Sequence, residues 1–269
     1  MLDPTRYLEG LIAMLVAATI VWVVSVAKRD ASIVDGLWGP LFVLGTLAYA
    51  WPVPAAPPRG ACVLALLTVW AVRLSVHVVA RNRGHGEDYR YREIRRRNEP
   101  NFALKSLWLV FWLQAMLAWL ISLPLLAAQT SAVPMGLLDG LGFALAVFGL
   151  AFETVADRQL ARFRRDPANR GQVLDRGLWR YTRHPNYFGE ACVWWGFGLV
   201  GVAAGAWWSL VSSVLITWLL LRVSGVALLE RTIGERRPAY AAYVRRTSAF
   251  VPWPRRRLPR GDAVVDLEA

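Results

Sequence analysis

Seven apolar runs, at about 8–27, 36–52, 61–80, 104–128, 135–156, 188–205 and 206–229, constrain this chain more than any other feature. Each approaches or exceeds the roughly 20 helical residues that cross about 30 Å of hydrocarbon. In that medium a peptide group without a hydrogen-bond partner is costly, so spans of this length and composition are helical. The expected fold class is all-α: a polytopic membrane protein built as a seven-transmembrane-helix bundle. Composition points the same way. Apolar residues make up 56% of the 269, Trp occurs 14 times and mean hydropathy is +0.35, which does not describe an ordinary soluble domain. Only Ala203-Ala204-Gly205-Ala206 separates the last two runs, leaving a tight hairpin or one long broken helix as alternatives.

Charge distribution gives an orientation. All Lys and Arg except Arg6, Arg59, Arg73 and Arg222 fall in four places: Lys28 and Arg29, residues 81–105, residues 156–186, and everything after Leu229. Alternate loops are therefore basic. By the positive-inside rule the N-terminus is outside and the C-terminus is in the cytoplasm, as an odd number of spans requires. The expected organisation is one integral-membrane domain over residues 1–254 and a disordered basic tail over 255–269, in which Arg255, Arg256 and Arg257 meet lipid phosphates.

Several function classes are set aside on the same grounds. The net charge of +12 is what topology and anionic headgroups ask of cytoplasmic loops, so it does not indicate nucleic acid. Cys62 and Cys192 lie in apolar runs, which supports neither a disulfide framework nor a cysteine metal site. The three histidines lack close ligand spacing, so no metal is expected. The first run has no basic n-region or small-residue cleavage site and reads as a retained span. The outer halves of the spans are nearly free of charge, which argues against a channel or transporter path. Arginine almost replaces lysine, of which Lys28 and Lys105 are the two examples; that bias suits a GC-rich bacterial genome, and hence a bacterial inner membrane.

The unusual polar residues collect on the cytoplasmic side. Arg73 sits within the third run and is followed by Arg81, Arg83, His85, Glu87, Asp88, Tyr89, Arg90 and Tyr91. An arginine fork matches phosphate oxygens, so Arg73, Arg81 and Arg83 are candidates for anion binding. The Arg95-Arg96-Arg97 run reads instead as a solvated topology loop. In the fifth run Glu153 and Asp157 are four residues apart and share a helix face, which Arg164 continues. That stripe suits a ligand with hydroxyls or an amide beside a phosphate, or else an ion-pair ladder with Arg158 and Arg162.

Residues 172–190 read as a loop, a short amphipathic stretch and a proline break into the sixth run. Pro185 or Asn186 opens that helix, whose amides form an anion site. Glu190, one turn in, is expected to face the bundle interior. Arg180, Arg183, His184, Tyr187 and Glu190 thus arrive together before an apolar span. Glu230 stands out at the exit of the seventh run, ahead of Tyr240, Tyr243 and Phe250-Val251-Pro252.

The stretch Gly177-Leu178-Trp179-x-Tyr181, Asn186-Tyr187-Phe188-Gly189-Glu190, the Asp157/Arg164 spacing and the Phe250-Val251-Pro252 ending together resemble the steroid 5α-reductase-like membrane proteins, in their bacterial branch. The Arg183-His184-Pro185 core is also similar to the isoprenylcysteine carboxyl methyltransferases. The first resemblance implies NADPH entering from the cytoplasmic side and reduction of an activated carbon–carbon double bond in an apolar lipid substrate. It implies cofactor contacts at Arg73, Arg81, Arg83, Glu153, Asp157, Arg164, Tyr181, Arg183, His184, Asn186, Glu190, Trp194 and Glu230. The family's Gln-Glu pair and tyrosine are replaced here by Val34-Asp35-Gly36 and by Trp70 at about the tyrosine's place. Asp35, Trp70 and Glu190 are therefore the catalytic candidates. Asp35 acts as a protonated donor if burial raises its pKa; as an alternative it is the N-cap of the second helix.

Two other readings stand beside this one. An S-adenosylmethionine-dependent methyltransferase of a lipid or prenyl thiol would use Arg183-His184-Pro185 and Glu230. A non-enzymatic lipid-binding membrane protein would bind no nucleotide. No protein partner is implied.

Overall fold

The computed structural model describes residues 3–51, 58–223 and 239–256. All regular elements among them are helical. Five helical stretches are long and apolar enough to cross a membrane: Pro4–Lys28, Ala31–Ala50, Pro58–Asn82, Phe102–Ile121 and Leu137–Arg165. The chain is thus a multi-pass membrane protein by length and composition. The last two apolar runs form Pro185–Ala203 and the shorter Trp207–Val223 stretch.

We label the α-helices α1 (Pro4–Lys28), α2 (Val34–Ala50), α3 (Pro58–Asn82), α4 (Tyr89–Asn98), α5 (Phe102–Ser106), α6 (Leu113–Ile121), α7 (Leu123–Thr130), α8 (Leu137–Arg165), α9 (Pro185–Ala203), α10 (Leu210–Trp218) and α11 (Ala239–Arg246). A π-helical turn, Leu107–Trp112, joins α5 to α6. The spans are inside-out relative to a soluble helix. On α1, Leu8, Ile12, Val16, Ile20 and Val23 are all more than half exposed, while Gly10, Met14 and Ala18 on the other face are buried. On α3, Val69, Val72, Val76 and Val79 form a second such stripe. An outward stripe of branched aliphatics at helical spacing suits hydrocarbon and would be costly in water.

The chain divides into two compact units, residues 1–140 with 197–212, and residues 141–196 with 213–269. In the first, α1 packs on α2 and α2 on α3. The α2–α3 crossing is close because Gly39 has no Cβ; one would sit 2.8 Å from the Ala71 Cα. Aromatic side chains tie α1 to the 102–121 span. Tyr7 stacks on Trp119 at 4.2 Å, and Trp112 Nε1 donates to Thr19 Oγ1 at 3.0 Å. Arg59 donates to both oxygens of Asp139, at 2.7 and 3.0 Å, and to the carbonyls of Val133 and Pro134. This pair joins the first turns of α3 and α8 on the side that carries little charge.

In the second unit, α8 and α9 approach until backbone meets backbone. A Cβ on Gly149 would lie 2.6 Å from Gly189 O and Val193 N, and one on Gly196 would lie 2.6 Å from Ala146 N. Small residues at such a crossing are the means by which membrane helices gain van der Waals contact without a hydrophobic driving force. Between α9 and α10 the chain turns through Gly205, at φ +86°. Ala206 N donates to Gly201 O and Gly205 N to Val202 O, satisfying the last carbonyls of α9. Trp195 Nε1 reaches Thr217 Oγ1 at 3.1 Å and Ser213 Oγ reaches Trp194 O at 2.9 Å. Of the two alternatives for this junction, the hairpin is the one formed.

Candidate functional site

The second unit gathers most of the polar residues expected to bind a ligand. Glu153 and Asp157 lie one turn apart on α8 and are 2% and 5% exposed. α9 starts at Pro185, where a missing N–H costs nothing and the ring presets the helical φ. Asn186 Nδ2 then donates to Asp157 Oδ1 at 3.2 Å, while its Oδ1 is buried and accepts no hydrogen bond among the described residues. Glu190 lies one turn further, buried. Gly189 permits this concentration, since a Cβ there would stand 2.6 Å from Glu153 N. His184, 3% exposed, has its ring nearly parallel to that of Tyr187 at 5.6 Å. Trp194 is fully buried one turn beyond Glu190, whereas Tyr181 and Arg164 are exposed.

The segment before α9 is fixed by the C-terminal residues. Thr182 forms a parallel bridge with Ser248. Arg183 N donates to Ser248 O at 2.9 Å, Thr182 Oγ1 to Phe250 O at 2.8 Å, and Trp253 N to Tyr181 O at 2.9 Å. Tyr243 Oη reaches Trp179 O at 2.5 Å, and burial pushes its phenol well above the usual range. Arg183, 8% exposed, donates through Nη1 to Thr247 O at 2.6 Å. The 177–190 motif and the 240–252 ending, separate in sequence, are therefore one piece of structure. Glu230 lies outside the described residues.

The first unit holds the remaining candidates. Asp35, in the first turn of α2, is not that helix's cap: the N-cap residue is Ile33, without a side-chain bond, and Asp30 caps the preceding 3-10 turn. Asp35 instead accepts from Arg90 Nη2 at 2.7 Å and from the Tyr91 hydroxyl. Tyr91 in turn accepts from Gln114 Nε2 at 3.2 Å. Burial, and then the Asp35 charge, raise the Tyr91 phenol far above its ordinary value. Burial works against the Arg90 cation, but Asp35 and Asp88 outweigh it and raise its pKa further. Trp70 is fully buried with its ring edge-on to Phe42 at 6.0 Å; the aromatic residue hydrogen-bonded to Asp35 is Tyr91. Arg73 is half-buried on α3. Arg81 and Arg83 are exposed, and Arg81 Nε donates to Asn82 Oδ1 at 3.2 Å.

The Arg95-Arg96-Arg97 run is not a loop. It closes α4, which Asp88 caps by accepting from Arg90 N at 2.9 Å. Arg96 and Arg97 pair with Glu93 on the exposed face, as a solvated run should. Arg95 does more: it donates to Glu87 at 2.8 and 3.0 Å and lies over the Phe102 ring at 4.4 Å. Glu87 also accepts from Ala31 N at 2.8 Å, so α4 is fastened to the start of α2. The signal for this helix was the Asp88 cap before a polar run with carboxylates and arginines at helical spacing.

A family model described as "Protein of unknown function (DUF1295)" matches residues 21–247. An uncharacterized protein of Schizosaccharomyces pombe is 28% identical over 278 residues, covering 91% of this chain and 79% of the yeast protein. No solved structure matches the chain.

Proposed function

The chain belongs to the family described as "Protein of unknown function (DUF1295)", and from that premise we propose that it is an NADPH-dependent membrane reductase of an activated carbon–carbon double bond in an apolar lipid. The observation that carries this reading is the Asp157–Asn186 pair. An amide locked by Asp157 on one side leaves its Oδ1 buried and unmatched on the other. Such an acceptor costs about 1–3 kcal/mol unless a ligand N–H reaches it, and a carboxamide supplies one. Buried carboxylates at Glu153 and Asp157 suit ribose hydroxyls, and the arginines at 164 and 183 suit phosphates. The donor and acceptor set thus fits a nicotinamide dinucleotide.

When bound, a reduced nicotinamide supplies a hydride; the protein has to orient, exclude water and manage a proton. Asn186 and Asp157 would fix the carboxamide, Trp194 and the α8–α9 contact would keep water out, and His184 with Tyr187 would flank the ring. The substrate half of the reading rests on Asp35 and Tyr91. Burial, and then the Asp35 charge, favour the protonated phenol of Tyr91. A protonated hydroxyl positioned by a carboxylate is a suitable donor to a developing enolate oxygen. In this reading Asp35 acts through Tyr91, whose hydroxyl it holds. The seven-span topology with N-terminus outside and a bacterial inner-membrane location belong to the same proposal, with α9 and the 207–223 stretch as the sixth and seventh spans.

Calorimetric titration of detergent-purified protein with NADPH, NADH and S-adenosylmethionine tests it. Selective NADPH binding that disappears in Asp157→Ala and Asn186→Ala is the expected result. Preferential S-adenosylmethionine binding would transfer the site to the methyltransferase reading. Binding of neither, or unchanged NADPH affinity in both variants, would remove the cofactor assignment.

A further inference from the structure

The end of the first unit that carries Lys28 and Arg29 also carries α4, and hydrogen bonds tie α4 to the ends of two spans. Arg95 Nη2 donates to Arg29 O at 3.3 Å. Lys105 Nζ donates to Asn98 O at 3.0 Å, which fixes the end of α4 against the first turns of the 102–121 span. Trp22 Nε1 donates to Ala103 O at 2.9 Å, so the last turns of α1 lie beside those same turns. One step further along both spans the outward faces are apolar: Val23 on α1, and Leu104 and Trp108 on its neighbour, are each more than half exposed. A surface that passes from aliphatic and indole side chains to basic ones within about two helical turns has the profile of a bilayer boundary.

Cations outweigh acids on this rim. Lys28 and Arg29 are exposed, and their side chains make no hydrogen bond or ion pair among the described residues. The side chains of Arg96 and Arg97 are 77% and 73% exposed and share one carboxylate, Glu93. Arg97 reaches it through Nε alone, which leaves its Nη donors for a ligand. Of the other acids, Glu87 is matched by Arg95, Asp30 accepts from Ser32 N and Oγ, and Glu99 is exposed. With Lys105 on the positive side, the rim keeps a net positive charge.

We propose that this rim is a binding site for an anionic phospholipid, with Lys28, Arg29, Arg96 and Arg97 taking the headgroup phosphate and the acyl chains lying along Val23, Leu104 and Trp108. Basic side chains at the ends of neighbouring spans are the arrangement that holds anionic headgroups, and guanidinium forks match phosphate oxygens. A soluble phosphate or an acidic peptide would meet the same cations but would leave the apolar faces beside them without a partner. The juxtaposition of the two surfaces therefore selects a lipid. The site requires only that α1 and the 102–121 span lie in a membrane, and it is independent of the reductase reading.

The test uses the full-length protein in an uncharged detergent, with phosphatidylglycerol and phosphatidylcholine of identical chains as probes and the midpoint of thermal unfolding as readout at constant ionic strength. Saturable stabilisation by phosphatidylglycerol well beyond that by phosphatidylcholine is expected. Arg96→Gln combined with Arg97→Gln should raise the half-saturating lipid concentration about 10–30-fold, the size expected for two basic residues at an anionic surface. Lys28→Gln combined with Arg29→Gln should do the same. Neither pair should lower the midpoint without lipid, because these side chains are exposed and the Arg95–Glu87 bond is untouched. Arg165→Gln combined with Arg170→Gln removes as much exposed charge from the second unit and should leave half-saturation unchanged. Equal stabilisation by the two lipids, or unchanged half-saturation in either rim variant, overturns the site. An equal effect in the Arg165 and Arg170 variant also overturns it, since overall charge would then explain the preference. Full reproduction of the effect by glycerol 3-phosphate, or by polyglutamate, would assign the rim to a soluble anion or an acidic partner and overturn the lipid. None of these outcomes bears on NADPH binding at Asp157.

Discussion

Arg59 and Asp139 meet through two hydrogen bonds, at 2.7 and 3.0 Å, with both side chains 1% exposed. Arg59 also donates to the Val133 and Pro134 carbonyls, and Gly136 N donates to Asp139 Oδ2. A buried pair satisfied to this degree holds the geometry of the loop ends, and it is severe to break from one side only.

Asp139→Ala should therefore cost about 3–5 kcal/mol of stability by leaving a buried, unpaired guanidinium. Arg59→Met combined with Asp139→Leu should recover most of that loss. Thermal unfolding of the single and double variants in detergent measures the coupling; additive losses would show that the pair is not the clamp described.

The α8–α9 contact predicts an asymmetry between small substitutions. Gly189→Ala places a Cβ 2.6 Å from Glu153 N and 2.8 Å from Gly149 O, both backbone atoms that cannot swing aside. It should destabilise by about 1–3 kcal/mol and weaken NADPH binding in the proposed site. Gly140→Ala, where nothing lies within 4 Å of the added carbon, should do neither. Equal unfolding midpoints for the two variants would mean that the helices part readily.

Tyr91→Phe separates the two aromatic candidates for catalysis. It removes the hydroxyl that Asp35 accepts from and leaves the ring in place. In a reductase assay kcat should fall by about 10²–10⁴-fold, the range for a lost acid–base group, with the KM for NADPH little changed. Trp70→Phe keeps an aromatic against Phe42 and should retain most of kcat. The reverse ranking would return the role to Trp70.

Acid should loosen α4 before the spans. Burial raises the Glu87 pKa, but bonds from Arg95 and Ala31 outweigh it and the net direction is down from its ordinary value of 4.5. A depressed folded pKa contributes stability that is fully present above the unfolded value and is lost as pH falls through the folded one. Asp88, lowered by Arg90 in spite of its burial, acts in the same sense. Amide hydrogen exchange in residues 89–98 should thus accelerate as pH drops below about 4 relative to the intrinsic rate. Glu87→Gln should flatten that dependence; an unchanged profile would show that the Arg95 contact does not anchor the helix.

Much of the site was legible along the chain because its parts are local. Glu153 and Asp157 share a face by helical periodicity alone, Pro185 marks where α9 begins, and the need to bury Glu190 follows from the apolar residues around it. Asp35 shows where such reasoning stops. Its position at the start of α2 suggested either a cap or a buried donor. Its actual partners, Arg90 and Tyr91, lie 55 and 56 residues away, and no periodicity relates positions on different helices.

The sequence by itself determined that this is a helical membrane protein with basic loops, since span length and backbone satisfaction in hydrocarbon depend only on local composition. It also marked 177–190 as the segment richest in chemistry. Only the tertiary structure decided that this segment is joined to residues 243–253 and that Arg95 leaves its exposed neighbours to bind Glu87. Those pairings depend on how closely helices approach, which glycines such as Gly149 and Gly189 permit but whose partners they do not name.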